Sequence, residues 1–75
     1  MHEFDIKEMG NRILWLRLDK KLGQNKLAEI LSVSNASISY WETGKQVPSA
    51  EVIYKLAKFF NVSADYILGL TDILL

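Results

Sequence analysis

Seventy-five residues without a cysteine can enclose one small hydrophobic core, and neither a disulfide framework nor a thiolate metal site is available to reinforce it. Nine Lys and Arg balance nine Asp and Glu, so the net charge is zero and offers no general attraction to a polyanion. The opening MHEFDIKEMG lacks the apolar stretch of a secretory signal, and no apolar run approaches the roughly 18 residues that span a bilayer; the sequence predicts a soluble, cytoplasmic protein without a membrane partner.

In chain order, residues 1–5 read as an N-terminal arm, and the single histidine, His2, lies in it with no role assigned. Asp5 followed three residues later by Glu8 has the spacing of a capping box, so a helix is predicted from Ile6 to about Lys20. Spacing by three and four gives it a core-facing row of Ile6, Met9, Ile13, Leu16 and Lys20. Leu14, Trp15 and Leu18 fall outside that row as a second apolar face. Lys20-Lys21-Leu22-Gly23 breaks the pattern, and Gly23 is a weak cap for a second helix, Gln24 to Leu31, burying Leu27, Ala28 and Leu31.

A tight break, Leu31-Ser32-Val33-Ser34, precedes a third helix from Asn35 to about Glu42, capped by Ser34, burying Ile38 and Trp41 and stopped by Gly44. Two short helices across so tight a break form a helix-turn-helix pattern, in which the first braces and the second is offered to the DNA major groove. Pro48 forces extended backbone before it, and Ser49 caps a fourth helix, Ala50 to Phe60, with Ile53, Leu56, Ala57 and Phe60 on its apolar face and Asn61 as a left-handed stop. Val62 and Ser63 lead into a fifth helix, Ala64 to Leu68, which offers Tyr66 and Ile67 to the core and ends at Gly69. The tail, residues 70–75, is apolar. The expected architecture is all-α, a compact five-helix single domain over residues 1–75.

Charge is unevenly distributed along this frame. Between residues 12 and 45 stand six cations (Arg12, Arg17, Lys20, Lys21, Lys26, Lys45) and three anions (Asp19, Glu29, Glu42), an excess of +3, while both ends are net acidic. That excess suits a modest, salt-sensitive electrostatic footprint. The sequence holds no cluster of metal ligands, no histidine placed beside a nucleophile and no Gly-rich phosphate loop, so neither an enzyme nor a cofactor is expected.

Gln24, Leu27, Ala28, Leu31, Ser32, Val33, Ile38 and Trp41 resemble the helix-turn-helix pattern of the lambda-repressor and Cro-like family. Trp41-Glu42-Thr43-Gly44-Lys45, Pro48-Ser49 and Val62 to Leu70 are similar to its downstream signatures, and the resemblance runs from about Phe4 to Asp72. Ala28 must be small where two helices cross. Ser32 and Lys21 depart from the family by standing where glycine is usual, and positive φ at Ser32 costs on the order of 1 kcal/mol.

The resemblance implies that the third helix enters the major groove, with Asn35, Ala36 and Tyr40 facing base edges and Ser39 at the margin; Tyr40 either reads a base or reaches a phosphate. Asn pairs bidentately with adenine and Ala touches a thymine methyl, so an A·T-containing half-site is expected. It further implies phosphate contacts from Gln24, Ser37, Thr43, Lys45 and Gln46, and an ion pair between Arg17 and Glu42 that ties the reading helix to the first helix. Lys20, Lys21 and Lys26 either add long-range attraction or form a plain solvated face.

Leu14, Trp15 and Leu18 have two readings: the apolar tail Ile73-Leu74-Leu75 folds back over them, or they belong to a homodimer interface. The implied partner is double-stranded DNA bound by a homodimer, and the implied function is a sequence-specific transcriptional regulator, a repressor occupying a palindromic operator. Two alternatives stay open: an antitoxin that represses its own operon and holds a toxin, or a protein–protein interaction module without DNA binding. No ligand pocket is evident in the sequence, so either a partner senses the inducing signal or the chain continues beyond Leu75.

Overall fold

Capping chemistry sets the boundaries of the helices. Asp5 accepts hydrogen bonds from the backbone N–H groups of Lys7 and Glu8, both at 3.1 Å, and Ser34, Ser49 and Ser63 each accept one from the residue three positions on. In the computed structural model, which describes residues 3–74, the resulting elements are α1 (Ile6–Asp19), α2 (Gln24–Leu31), α3 (Asn35–Glu42), α4 (Ala50–Phe60) and α5 (Ala64–Leu68). The expected capping box is half formed: Glu8 turns to Arg12, 2.7 Å away. His2 and Leu75 lie outside the described residues.

Each of these helices ends by the same device. Lys21, Ser32, Gly44, Asn61 and Gly69 have φ between 57° and 87°, and the next residue returns its N–H to a carbonyl five positions back. The bonds are Leu22 to Arg17, Val33 to Ala28, Lys45 to Tyr40, Val62 to Ala57 and Leu70 to Asp65, from 2.8 to 3.2 Å. This is the Schellman stop, and four of its five closing residues are apolar, as the accompanying hydrophobic contact requires. Three left-handed positions carry side chains, so the expectation for Ser32 holds, and Lys21 and Asn61 share its strain.

The core lies where the helices converge: Met9 and Ile13 of α1, Leu27, Ala28 and Leu31 of α2, Ile38 and Trp41 of α3, Val52, Leu56 and Phe60 of α4, and Ile67 of α5. Two phase assignments need correction. Lys20 is exposed, because α1 stops at Asp19 and the chain leaves helical phase; its ammonium sits 5.6 Å from the Phe59 ring centroid. On α4 the buried row is Val52, Leu56 and Phe60 at intervals of four, with Ile53 and Ala57 half-buried at its edge.

Gly10 is the residue on which the placement of α3 depends. A Cβ there would lie 2.4 Å from the Trp41 carbonyl oxygen and 2.8 Å from that of Glu42. Only glycine lets α1 approach the last turn of α3 this closely, and Gly44 repeats the contact one loop later against Lys7.

Candidate nucleic-acid interface

α3 is eight residues long, about 12 Å, and divides cleanly into two sides. Ile38 and Trp41 are buried, whereas Asn35, Ala36 and Tyr40 are exposed and Ser39 is half-buried. Asn35 with Ser39, and Ala36 with Tyr40, are spaced by four residues, so the four predicted base-reading residues share one outward face. Ser34 caps the helix through the Ser37 N–H at 3.0 Å, and the two hydroxyls are 2.9 Å apart. The remaining orphan N–H groups of the first turn and the helix dipole make this end of α3 electropositive without any cationic side chain.

The other end of α3 is held by a buried clamp. Arg17 donates from Nε to Glu42 Oε2 at 2.6 Å, from Nη2 to Oε1 at 3.0 Å and from Nη1 to the Leu22 carbonyl at 2.8 Å. Side-chain exposure is 10% for Arg17 and 4% for Glu42, so the pair is desolvated and bidentate. The hydrogen bonds that Arg17 donates to Glu42 raise its guanidinium above its ordinary pKa against the opposing effect of burial, which keeps it charged at every ordinary pH. The predicted tie between α1 and α3 is therefore present, with full geometry.

Gln24, at the start of α2, donates from Nε2 to Glu42 Oε1 at 2.9 Å. Its half-buried amide therefore joins α2 to the same clamp and sits beside the end of α3. Thr43, Lys45 and Gln46 are exposed just past α3; the Lys45 and Gln46 N–H groups both bond the Tyr40 carbonyl, at 2.8 and 3.3 Å, and Thr43 Oγ1 bonds that of Ser39 at 2.8 Å. These rim residues are thus fixed to the last turn of the exposed helix.

The local cationic excess is redistributed by the fold. Arg12 donates to the carbonyls of Tyr66 (3.1 Å) and Thr71 (3.2 Å) and pairs with Glu8 and Asp72, while its guanidinium carbon lies 4.8 Å from the Tyr66 ring centroid. It joins α1 to the end of α5, and Arg17 is committed to Glu42. Lys26 has Glu29 at 3.6 Å. Among the described residues of this stretch, Lys20, Lys21 and Lys45 remain without a carboxylate partner. Sequence reasoning counted Arg12 toward the footprint and missed both its structural role and Gly10; a lone glycine or arginine inside a helix carries no local sign of what it will meet.

The tail returns toward α1: the Ser63 N–H bonds the Leu74 carbonyl at 3.3 Å, and Leu74 lines a shallow groove with Trp15, Leu16, Leu18, Asp19 and Tyr66. It does not bury them. Trp15 stays 67% exposed and Leu18 46%, Leu14 is half-buried, and Ile73 and Leu74 are exposed. No helix among the described residues is long and apolar enough to cross a membrane.

Residues 13–67 match the family model described as Helix-turn-helix, a span that includes both α2 and α3. The chain belongs to the Helix-turn-helix family. This helix-turn-helix chain is 42% identical over 62 residues to the HTH-type transcriptional activator BcrR of Enterococcus faecalis, a match covering 83% of this chain and 30% of that protein. Its fold is similar to the P22 c2 repressor solved in complex with a synthetic operator, at TM-score 0.76 and 38% identity, covering 80% of this chain and 91% of that one. It is also similar to the restriction-modification controller protein C.AhdI of Aeromonas hydrophila, at TM-score 0.77 and 27% identity, covering 84% and 96% respectively. The chain spans 30% of the length of BcrR and 28% of that of the Salmonella phage P22 repressor.

Proposed function

We propose that residues 1–75 act as a single domain that binds duplex DNA sequence-specifically and, as a homodimer on a palindromic operator, represses transcription. The observation that carries this reading is the outward face of α3, Asn35, Ala36, Ser39 and Tyr40, on a helix whose far end is locked by the Arg17–Glu42 clamp. Asn35 pairs bidentately with an adenine edge and Ala36 meets a thymine methyl, while Tyr40 and Ser39 flank them. Gln24, Ser37, Thr43, Lys45 and Gln46 supply neutral and cationic donors to the phosphates on either side. The fold shared with the operator-bound P22 c2 repressor supports this docking.

One eight-residue helix reads only a few base pairs, so two copies one DNA turn apart are needed for operator selectivity. The exposed Trp15 and Leu18, with Leu74 beside them, supply an apolar surface for that pairing. Repression follows by occupancy, when the operator overlaps the site that polymerase needs. Selection of bound duplexes from a random pool tests the reading. An inverted repeat with half-sites about 10 base pairs apart is the expected product; a pool that stays random after selection refutes it.

A further inference from the structure

A second groove lies between the C-terminal half of α2 and the outer side of α4. It is a shallow, open depression of about 490 Å³, lined by Ile30, Leu31, Ser32, Tyr54, Lys55, Lys58 and Phe59. It shares no residue with the α3 reading face or with the Trp15–Leu18 surface. Two large apolar side chains on its walls face solvent, Tyr54 at 63% and Ile30 at 38% exposure. Its charge is one-sided: Lys55 and Lys58 line it, the Lys20 ammonium flanks the Phe59 ring, and no carboxylate is among the lining residues. Glu51, outside the groove, stands 3.5 Å from Lys55, which also donates to the Leu31 carbonyl at 3.3 Å and so stiffens the wall between the two helices. With Lys55 paired to Glu51, the positive charge of this surface rests on Lys58 in the lining and on Lys20 beside Phe59, over a partly apolar floor.

We propose that this α2–α4 groove is a docking site for an acidic amphipathic helix of another protein. Its apolar stripe covers Ile30, Tyr54 and Phe59 while its carboxylates meet Lys58 and Lys20. A phosphate backbone matches the lysines but leaves the apolar floor wet, whereas an amphipathic helix satisfies both halves of the surface. The docked helix leaves α3 free, so this partner and DNA bind at separate places on the chain.

The test uses the 75-residue chain and three fluorescent probes: a 16-residue helical peptide with Leu at helical spacing and Glu elsewhere, the same peptide with Lys for Glu, and a short random-sequence duplex. The acidic peptide should bind with a dissociation constant on the order of 10 μM and at least about tenfold more tightly than its Lys counterpart. Lys58→Glu and Tyr54→Ala should each weaken it about fivefold or more, with melting temperatures unchanged because both side chains are exposed. Equal affinity for the two peptides, no binding of the acidic one at 1 mM, or identical binding by both variants overturns the proposal. So does a Lys58→Glu variant that loses duplex affinity but keeps the peptide, an outcome that assigns the surface to DNA.

Discussion

Replacing Glu42 with alanine tests how the reading helix is held. The carboxylate accepts two of the three Arg17 bonds, at 2.6 and 3.0 Å, and the Gln24 amide at 2.9 Å. After Glu42→Ala the buried guanidinium keeps one protein acceptor, the Leu22 carbonyl, and its charge is uncompensated. Breaking a buried pair in this way is destabilising by about 3–5 kcal/mol. For a domain of this size the total stability is roughly 4–11 kcal/mol and each kcal/mol moves the midpoint by about 4–8 °C, so Tm should fall by about 12 °C or more. Thermal and urea unfolding followed by circular dichroism would measure it. The double variant Arg17→Met, Glu42→Leu should recover most of the loss, because the pair's net value against apolar packing is small. A fall of under about 4 °C in Glu42→Ala, equivalent to less than about 1 kcal/mol, would refute the reasoning.

Gly10→Ala should destabilise by roughly 1–3 kcal/mol in urea unfolding despite alanine's better helix propensity, since the new methyl meets two backbone oxygens that cannot rotate away. Ser32→Gly should raise Tm by a few degrees, about 0.5–1 kcal/mol, by relieving the left-handed strain at φ 58°; an unchanged or lower Tm would show that the turn carries no strain. If Trp15 and Leu18 form the dimer surface, sedimentation should find the parent chain associating and the Trp15→Glu, Leu18→Glu double variant monomeric at the same concentration and equally folded.

Most of the fold was legible because its boundaries are local chemistry. Asp5, Ser34, Ser49 and Ser63 announce the starts of α1, α3, α4 and α5, Asn61 and Gly69 announce the stops of α4 and α5, and α2 to α5 fall at their expected limits. Periodicity set helical phase less well: Lys20 fitted a spacing that the end of α1 had already interrupted, and Val52 displaced Ile53 and Ala57 from the α4 core row. Long-range arrangements left no local trace. Gly10 matters only because α3 ends against it, and Arg12 becomes a clamp only when the tail returns past α5. The predicted site residues of α3 share a face because eight helical residues allow little else, whereas the place of Gln24 in the Glu42 cluster depends on how α2 meets α3.

The central claim is that Asn35 on the outward face of α3 reads a base. Fluorescence anisotropy of the parent chain and Asn35→Ala, on the selected operator and on an unrelated duplex at one salt concentration, tests it most directly. Asn35→Ala should lose about 1–3 kcal/mol on the operator, roughly 5- to 150-fold in Kd, with binding to the unrelated duplex unchanged. An equal loss on both duplexes, or no loss on either, would contradict it.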